Sequence, residues 1–219
     1  MNDDVQAVAQ NMTIPVTLAQ LKAHLRLNHN LQDTYLASLL NVATEQVEAD
    51  TWRSLRPITG RTITRRGFPP GDEAMILPKP PLRGVTSIQY VDNNGSTQTI
   101  SSYRIDILHE PGSVEPTWPN PWPISQDGPA SVTVVYDCGY ANAAAVPASL
   151  IHAILLIAGE MYENAEPIAV KQNSTLDRLL RPYRVRNMPM LESIWTPKPI
   201  NPKFPGAFGL WSGNAIGGV

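Results

Sequence analysis

With 219 residues the chain can build one sizeable core or two small ones, and its 16% charged residues fall well below the roughly 25% of an average globular protein. The formal charge of −2 excludes a global pull toward nucleic acid or anionic membrane, so any such contact has to be a local patch. The single cysteine, Cys138, excludes an internal disulfide, and 21 prolines, about twice the usual share, with so little charge suggest a surface used in protein contacts.

The start, Met1-Asn-Asp-Asp-Val5, is acidic and lacks the basic and apolar regions of a secretory signal. The apolar run in the 150s is interrupted by Ser149, His152 and Gly159 and falls short of the roughly 20 residues of a membrane span. The expectation is a soluble intracellular protein with no membrane partner.

Residues 1–16 show no periodicity and read as an N-terminal arm. Thr17-Leu-Ala-Gln20 is a capping box, in which the Thr17 hydroxyl and the Gln20 amide serve backbone N–H groups at a helix start. A short helix to about Leu27 should follow, with Leu18, Leu21 and Leu25 inward and Lys22 and Arg26 in water. Asn28-His-Asn30 breaks it. From Asp33 to about Trp52 a second helix carries the stripe Leu36, Leu39, Leu40, Ala43, Val47, with Asp33 placed to favour the helix dipole.

From Pro57 the pattern turns to strands. Thr62-Ile-Thr-Arg-Arg66 alternates, Gly67-Phe-Pro-Pro-Gly71 is a turn cluster, and Met75-Ile-Leu77 precedes the Pro-rich Pro78–Pro81. Val85–Asp92 is strand-like, Asn93-Asn-Gly95 signals a hairpin, and Thr97–Ile100 returns. Tyr103–Ile107 and Ser131–Tyr136 are two further strands, separated by the loop Pro116-Thr-Trp-Pro-Asn-Pro-Trp-Pro123.

A strongly apolar helix follows Pro147, which suits a first helical position, and Ser149 offers a polar start. Leu150, Ile151, Ile154, Leu155 and Ala158 line one side, and Ala153, Leu156 and Ile157 widen it, so cover is needed on more than one face. Fully burying each large aliphatic is worth roughly 1.5–3 kcal/mol, so three or four left in water would forgo about a domain's net stability. Leu150, Ile154, Leu155 and Ile157 are therefore expected to pack against a neighbouring subunit where the chain itself leaves them open. Ala165–Asn173 reads as a mobile loop, Ser174 as the cap of a short helix with Leu176, Leu179 and Leu180, and Pro182 as its end.

The fold class is α+β: a four-helix core with an inserted small antiparallel β unit and an extended C-terminal tail. The boundaries are an arm over 1–16, a first helical half over 17–56, the β unit over 57–140, a second helical half over 141–184, and the tail over 185–219.

No catalytic or metal constellation is legible, and no cofactor is expected. His24 and His29 do not present two nitrogens to one metal as an i, i+4 pair could. Asp92-Asn-Asn-Gly95 lacks the acidic spacing and terminal Glu of a calcium loop, so a hairpin turn explains it better. Cys138 has no activating neighbour in sequence and reads as buried. Arg178, Arg181, Arg184 and Arg186 are the densest basic cluster. They form either a solvated helix face or a patch for phosphates or an acidic protein surface, and four charges would hold DNA only weakly and in a salt-sensitive way.

The 35 residues from Val185 to Val219 hold five prolines and five glycines among Trp195, Phe204, Phe208 and Trp211. Extended, they reach at most about 115–125 Å, against a radius of gyration near 15 Å for a body of ~150 residues. Ordering them would cost roughly 1–2 kcal/mol per residue, more than four aromatics return by self-burial. The four aromatics are expected to be anchors on a partner.

Several stretches together resemble the head–tail connector (adaptor) family of tailed bacteriophages: Thr17–Arg26, the Asp33 helix ending Val47-Glu-Ala-Asp-Thr-Trp-Arg53, Leu77–Leu82 before Val85–Asp92, Gly139-Tyr140 before Pro147, Ile154–Asn164, and Leu179–Arg184. The likeness covers residues 17–184 and departs at Ala165-Glu166, where relatives commonly carry an arginine. It implies a non-enzymatic ring, usually twelvefold, under the portal protein at the head–tail junction of a virion, made in the host cytoplasm. The ring would extend the DNA channel, meet a stopper or tail-completion protein, pass genomic DNA without reading it, and use its C-terminal tail on the portal or a neighbouring subunit. The alternative is a DNA-binding virion or packaging accessory module working through Arg178–Arg186.

Overall fold

The structure, a computed structural model, describes residues 14–164 and 175–185. The arm over 1–13, the loop Ala165–Asn173, the Ser174 cap and the tail from Arg186, with Trp195, Phe204, Phe208 and Trp211, lie outside the described residues.

Helix α1, Leu18–Leu25, opens on the expected capping box: Gln20 N donates to Thr17 Oγ1 at 3.2 Å and Thr17 N to Gln20 Oε1 at 2.8 Å. The arm ends before residue 16, because Val16 is already in the core. Leu21 is buried with Leu18 and Leu25 packed beside it. Lys22, expected in water, instead donates to Asp33 Oδ1 at 2.9 Å and to Asn30, and so fixes the break between the first two helices.

Helix α2, Asp33–Thr51, buries Leu36, Leu39, Leu40, Ala43 and Val47. Thr44 and Thr51 are buried too, their hydroxyls donating to Leu40 O and Val47 O one turn back. Trp52, at φ 59°, ends the helix.

Seven strands follow: β1 Ile58–Arg65, β2 Met75–Ile76, β3 Leu82–Val91, β4 Thr97–Ile100, β5 Tyr103–Asp106, β6 Ser113–Pro116 and β7 Val132–Cys138. They form two antiparallel sheets rather than one unit, in the orders β1-β7-β3-β4 and β2-β6-β5. Strand β6 corrects the sequence reading, which has loop there. Four residues ending in proline carry little period-2 signal, yet β6 is the centre of its sheet, with Val114 opposite both Met75 and Ile105.

The β3–β4 hairpin turns as expected at Asp92–Ser96. Asp92 Oδ1 accepts from Asn94 N and Ser96 N and Oδ2 from Gln98, so these oxygens serve the turn. In the Pro/Trp loop Trp122 is buried, stacked on Phe68 at 5.0 Å and donating Nε1–H to Glu73 O.

Helix α3, Ala148–Glu163, has Pro147 as its N-cap, one position earlier than the pattern suggests. Leu150, Ala153, Ile154, Ile157 and Ala158 join Leu36, Leu40, Ala43 and Val47 in one apolar cluster, which also takes Leu21 from α1 and Leu176 and Leu180 from α4, Thr175–Leu180. Gly159 faces α1, where a β-carbon would make an ordinary contact with the His24 ring at 3.5 Å. Pro182 does not stop α4 abruptly but sits in a 3-10 turn, Arg181–Tyr183. Among the described residues no helix is long and apolar enough to cross a membrane.

Candidate functional site

Among the described residues no group of three or more His, Cys, Asp or Glu could hold a metal. His24 and His152 meet edge to face, with ring centroids 6.1 Å apart. Cys138 is buried in β7, and burial pushes its thiol up and away from the reactive thiolate.

The polar groups that do converge surround the point where the described chain ends. Val185 N donates to Thr51 O at 3.1 Å, so the last described residue lies against the end of α2. Arg53, immediately beyond that helix, is buried; its Nε donates to Tyr183 O at 2.6 Å and its Nη2 to Glu110 Oε2 at 2.5 Å. Its guanidinium also lies over the Tyr183 ring, 5.9 Å from the centroid. Burial opposes the Arg53 charge, but the hydrogen bond and charge of Glu110 with the bond to Tyr140 outweigh it, and the pKa is held above its ordinary value. One side chain thus ties α2, the β5–β6 loop and the segment leading to the tail.

A second ion pair stands beside it. Arg184 Nη1 meets the buried Asp177 Oδ1 at 2.5 Å. Asp50 on α2 lies close enough for Arg184 to favour its charge, yet burial dominates and pushes its carboxyl up, and its Oδ2 has no hydrogen-bond partner.

The basic cluster is therefore divided. Arg178 and Arg181 face water, Arg184 turns inward to Asp177, and Arg186 lies outside the described residues. Among the described residues, two of the three arginines of the cluster remain open to water. The apolar quartet of α3 is divided as well. Leu150, Ile154 and Ile157 are enclosed by the chain's own core and have no surface to offer a neighbour; only Leu155 stays half-buried. The correction has a simple cause: α2, α1 and α4 all lie on α3 and cover more of it than one opposing helix could.

What the sequence does not reveal is the β5–β6 loop, where Ile107 and Leu108 are exposed beside Glu110. Exposure of an aliphatic at a strand end leaves no mark in local sequence.

Residues 15–102, from the α1 cap through β4, match the sequence model of the phage gp6-like head-tail connector protein family. No curated protein matches the chain. Among solved structures, a chain from the virion of a native gene transfer agent (GTA) particle superposes with TM-score 0.64 at 24% identity, covering 80% of this chain and 92% of that one. A chain from the neck of the empty GTA particle, computed with C6 symmetry, gives 0.61 at 24% identity over 80% and 92%. One from the neck of the native particle, computed with C12 symmetry, gives 0.58 at 24% identity over 81% and 96%. The head–tail connector family that the sequence resembles is thus the family whose pattern residues 15–102 carry, on a fold this chain shares with chains of the GTA particle.

Proposed function

We propose that this chain is a structural subunit of a head–tail connector ring, at the junction between a capsid portal and a tail, that prolongs the DNA channel and performs no catalysis. The observation that carries the reading is the connector-family match over residues 15–102, and a fold shared with neck chains over 80% and 81% of this chain supports it. The C12 symmetry of one such neck supports twelve copies here. The divided basic cluster supports a wall that passes DNA without holding it, since two exposed arginines neutralise few phosphates.

The tail, residues 185–219, is the tether in this reading, with Trp195, Phe204, Phe208 and Trp211 as its anchors on the portal or a neighbouring copy and a stopper or tail-completion protein on the opposite side of the ring. It leaves from a fixed point, because Arg53 holds Tyr183 and Thr51 holds Val185. The test is to mix the full chain with purified portal and measure particle mass and symmetry. A closed ring on the portal, lost when residues 186–219 are deleted, is the expected result. A tight two-fold dimer that ignores portal overturns the connector reading; a truncated chain that still assembles normally overturns the tail's role alone.

A further inference from the structure

The exposed large apolar side chains gather in few places. Among the described residues Tyr35 and Val42 lie on α2 with Leu31 just before it and Trp52 at its cap, Ile105, Ile107 and Leu108 form the β5–β6 tip, and Trp118 and Ile124 stand in and just after the Pro/Trp loop. Tyr35 and Val42 are two helical turns apart on one side, with only the exposed Ser38 between them, and the α2 face is a low apolar ridge. The tip is the opposite kind of surface, a projecting knob. Leu108, 89% exposed, stands at its end, and Arg104, Ile105, Asp106, Ile107, Leu108 and Glu115 line a groove of about 470 Å³ behind it.

This tip is pre-organised. Asp106 Oδ1 accepts from Leu108 N at 2.9 Å and His109 N at 3.1 Å, its Oδ2 lies 2.6 Å from His109 Nδ1, and Glu110 is latched to Arg53. A loop held in this way presents its aliphatics with little backbone ordering left to occur on binding.

We infer that the β5–β6 tip of one copy, with Ile105, Ile107 and Leu108, seats on the α2 face of the next copy, at Leu31, Tyr35 and Val42. The inference rests on the ring reading above. A ring closes through heterologous contacts, so each copy must offer two unlike surfaces that fit each other. Knob and ridge are unlike, and along α2 Tyr35 lies about 24 Å from Thr51, the end at which the tip is latched, at 1.5 Å per residue.

The rims select this pairing over the symmetric ones. Glu45 on the α2 face is 65% exposed, and its ion pair with Arg56 is a long one at 3.8 Å. Arg104 beside the tip is exposed and gives one of its five N–H donors to Glu115, leaving others for a second carboxylate. Tip on α2 sets Arg104 toward Glu45. Face against face would set Glu45 on Glu45, and tip against tip Arg104 on Arg104.

Cysteine cross-linking of the full chain tests this cleanly, because the only native thiol, Cys138, is buried. Val42→Cys and Leu108→Cys are both at exposed positions, where the fold tolerates them. A short bismaleimide should link the double variant into a ladder of oligomers, link a mixture of the two single variants into dimers only, and leave each single variant alone unlinked. Self-linking of Leu108→Cys, or closed rings in mass measurement and negative-stain images with no ladder, overturns the contact while leaving the ring reading standing. Absence of any closed assembly of the wild-type chain, alone and on purified portal, removes the ring reading and this contact with it. Leu108→Asp should lower assembly at least tenfold with an unchanged melting temperature; normal assembly of this variant also overturns the contact.

Discussion

Arg53 and Glu110, 57 residues apart in sequence, meet at 2.5 Å and fasten the end of α2 to the β5–β6 loop. Arg53 is buried in this pair, while the Glu110 side chain keeps 38% of its surface in water. The two ends are therefore unequal. Removing the arginine strands the Tyr183 carbonyl as well as the carboxylate, whereas a glutamate that loses its charge can be replaced by water. Arg53→Ala should destabilise by about 1.5–3 kcal/mol, the range for hydrogen bonds to charged groups, and Glu110→Gln by under about 1 kcal/mol. Urea denaturation of both variants checks this; equal losses would mean that the ion pair, and not the Tyr183 bond, dominates.

Gly139 tests the junction between sheet and helices. Its φ is +88°, and a β-carbon there would lie 2.0 Å from the Arg56 carbonyl oxygen. Its N–H donates to Pro81 O at 2.8 Å, so the backbone cannot swing away without losing a bond. Gly139→Ala should cost more than about 3 kcal/mol, strain and clash together. Gly60 is the control: its φ is +67° with nothing within 4 Å, so Gly60→Ala carries only the left-handed penalty of roughly 1–2 kcal/mol. Melting temperatures of the pair should separate clearly; similar shifts would show that the chain at Arg56 yields.

What is legible in the sequence follows the range of the forces involved. Thr17 and Gln20 are readable because a capping box closes over three residues, and the α2 stripe because 3.6-residue periodicity repeats through five positions. The Asp92 turn is readable for the same reason. Strand β6 is not, since Ser113–Pro116 is too short to show a period of its own and becomes a strand only by lying between its sequence neighbour β5 and the more distant β2. The division of strands into two sheets is equally non-local. Lys22, Arg53 and Arg184 all look like surface cations in sequence, and each is claimed by a partner that the fold delivers: Asp33, Glu110 and Asp177. The surfaces best suited to binding, at Leu108 and Tyr35, differ from core positions only in what fails to cover them.

Arg178 and Arg181 decide between a passive wall and a DNA-binding module. Both are exposed, and Arg184 is engaged with Asp177. Each phosphate neutralised contributes roughly 0.9 to the slope of log K against log salt. Two arginines would thus give a slope magnitude near ~2, and a duplex affinity too weak to survive physiological salt. The expected result in a fluorescence titration is no saturable binding of the wild type at 150 mM salt, on the order of physiological ionic strength, and no change in Arg178→Ala with Arg181→Ala. Tight binding abolished by the double substitution would favour the DNA-binding alternative.

Asp50 predicts a pH dependence whose sign is fixed by its surroundings. Burial pushes its carboxyl above the ordinary 3.8, and the Arg184 charge, pulling the other way, does not compensate. Its Oδ2 has no hydrogen-bond partner to favour the anion. In the unfolded chain the group ionises near its ordinary value, so between that value and the raised one the folded state holds more of the proton. Stability from this group is present below 3.8 and falls as pH rises through the folded-state pKa. Asp50→Asn removes the proton from the balance. The stability of the variant relative to wild type should therefore rise between acid and neutral pH, whatever its offset from the new amide. Urea melts of both proteins across that range read the slope directly. A relative stability that stays level would mean that Asp50 titrates alike in both states, and one that falls would mean that Arg184, and not burial, governs the carboxylate.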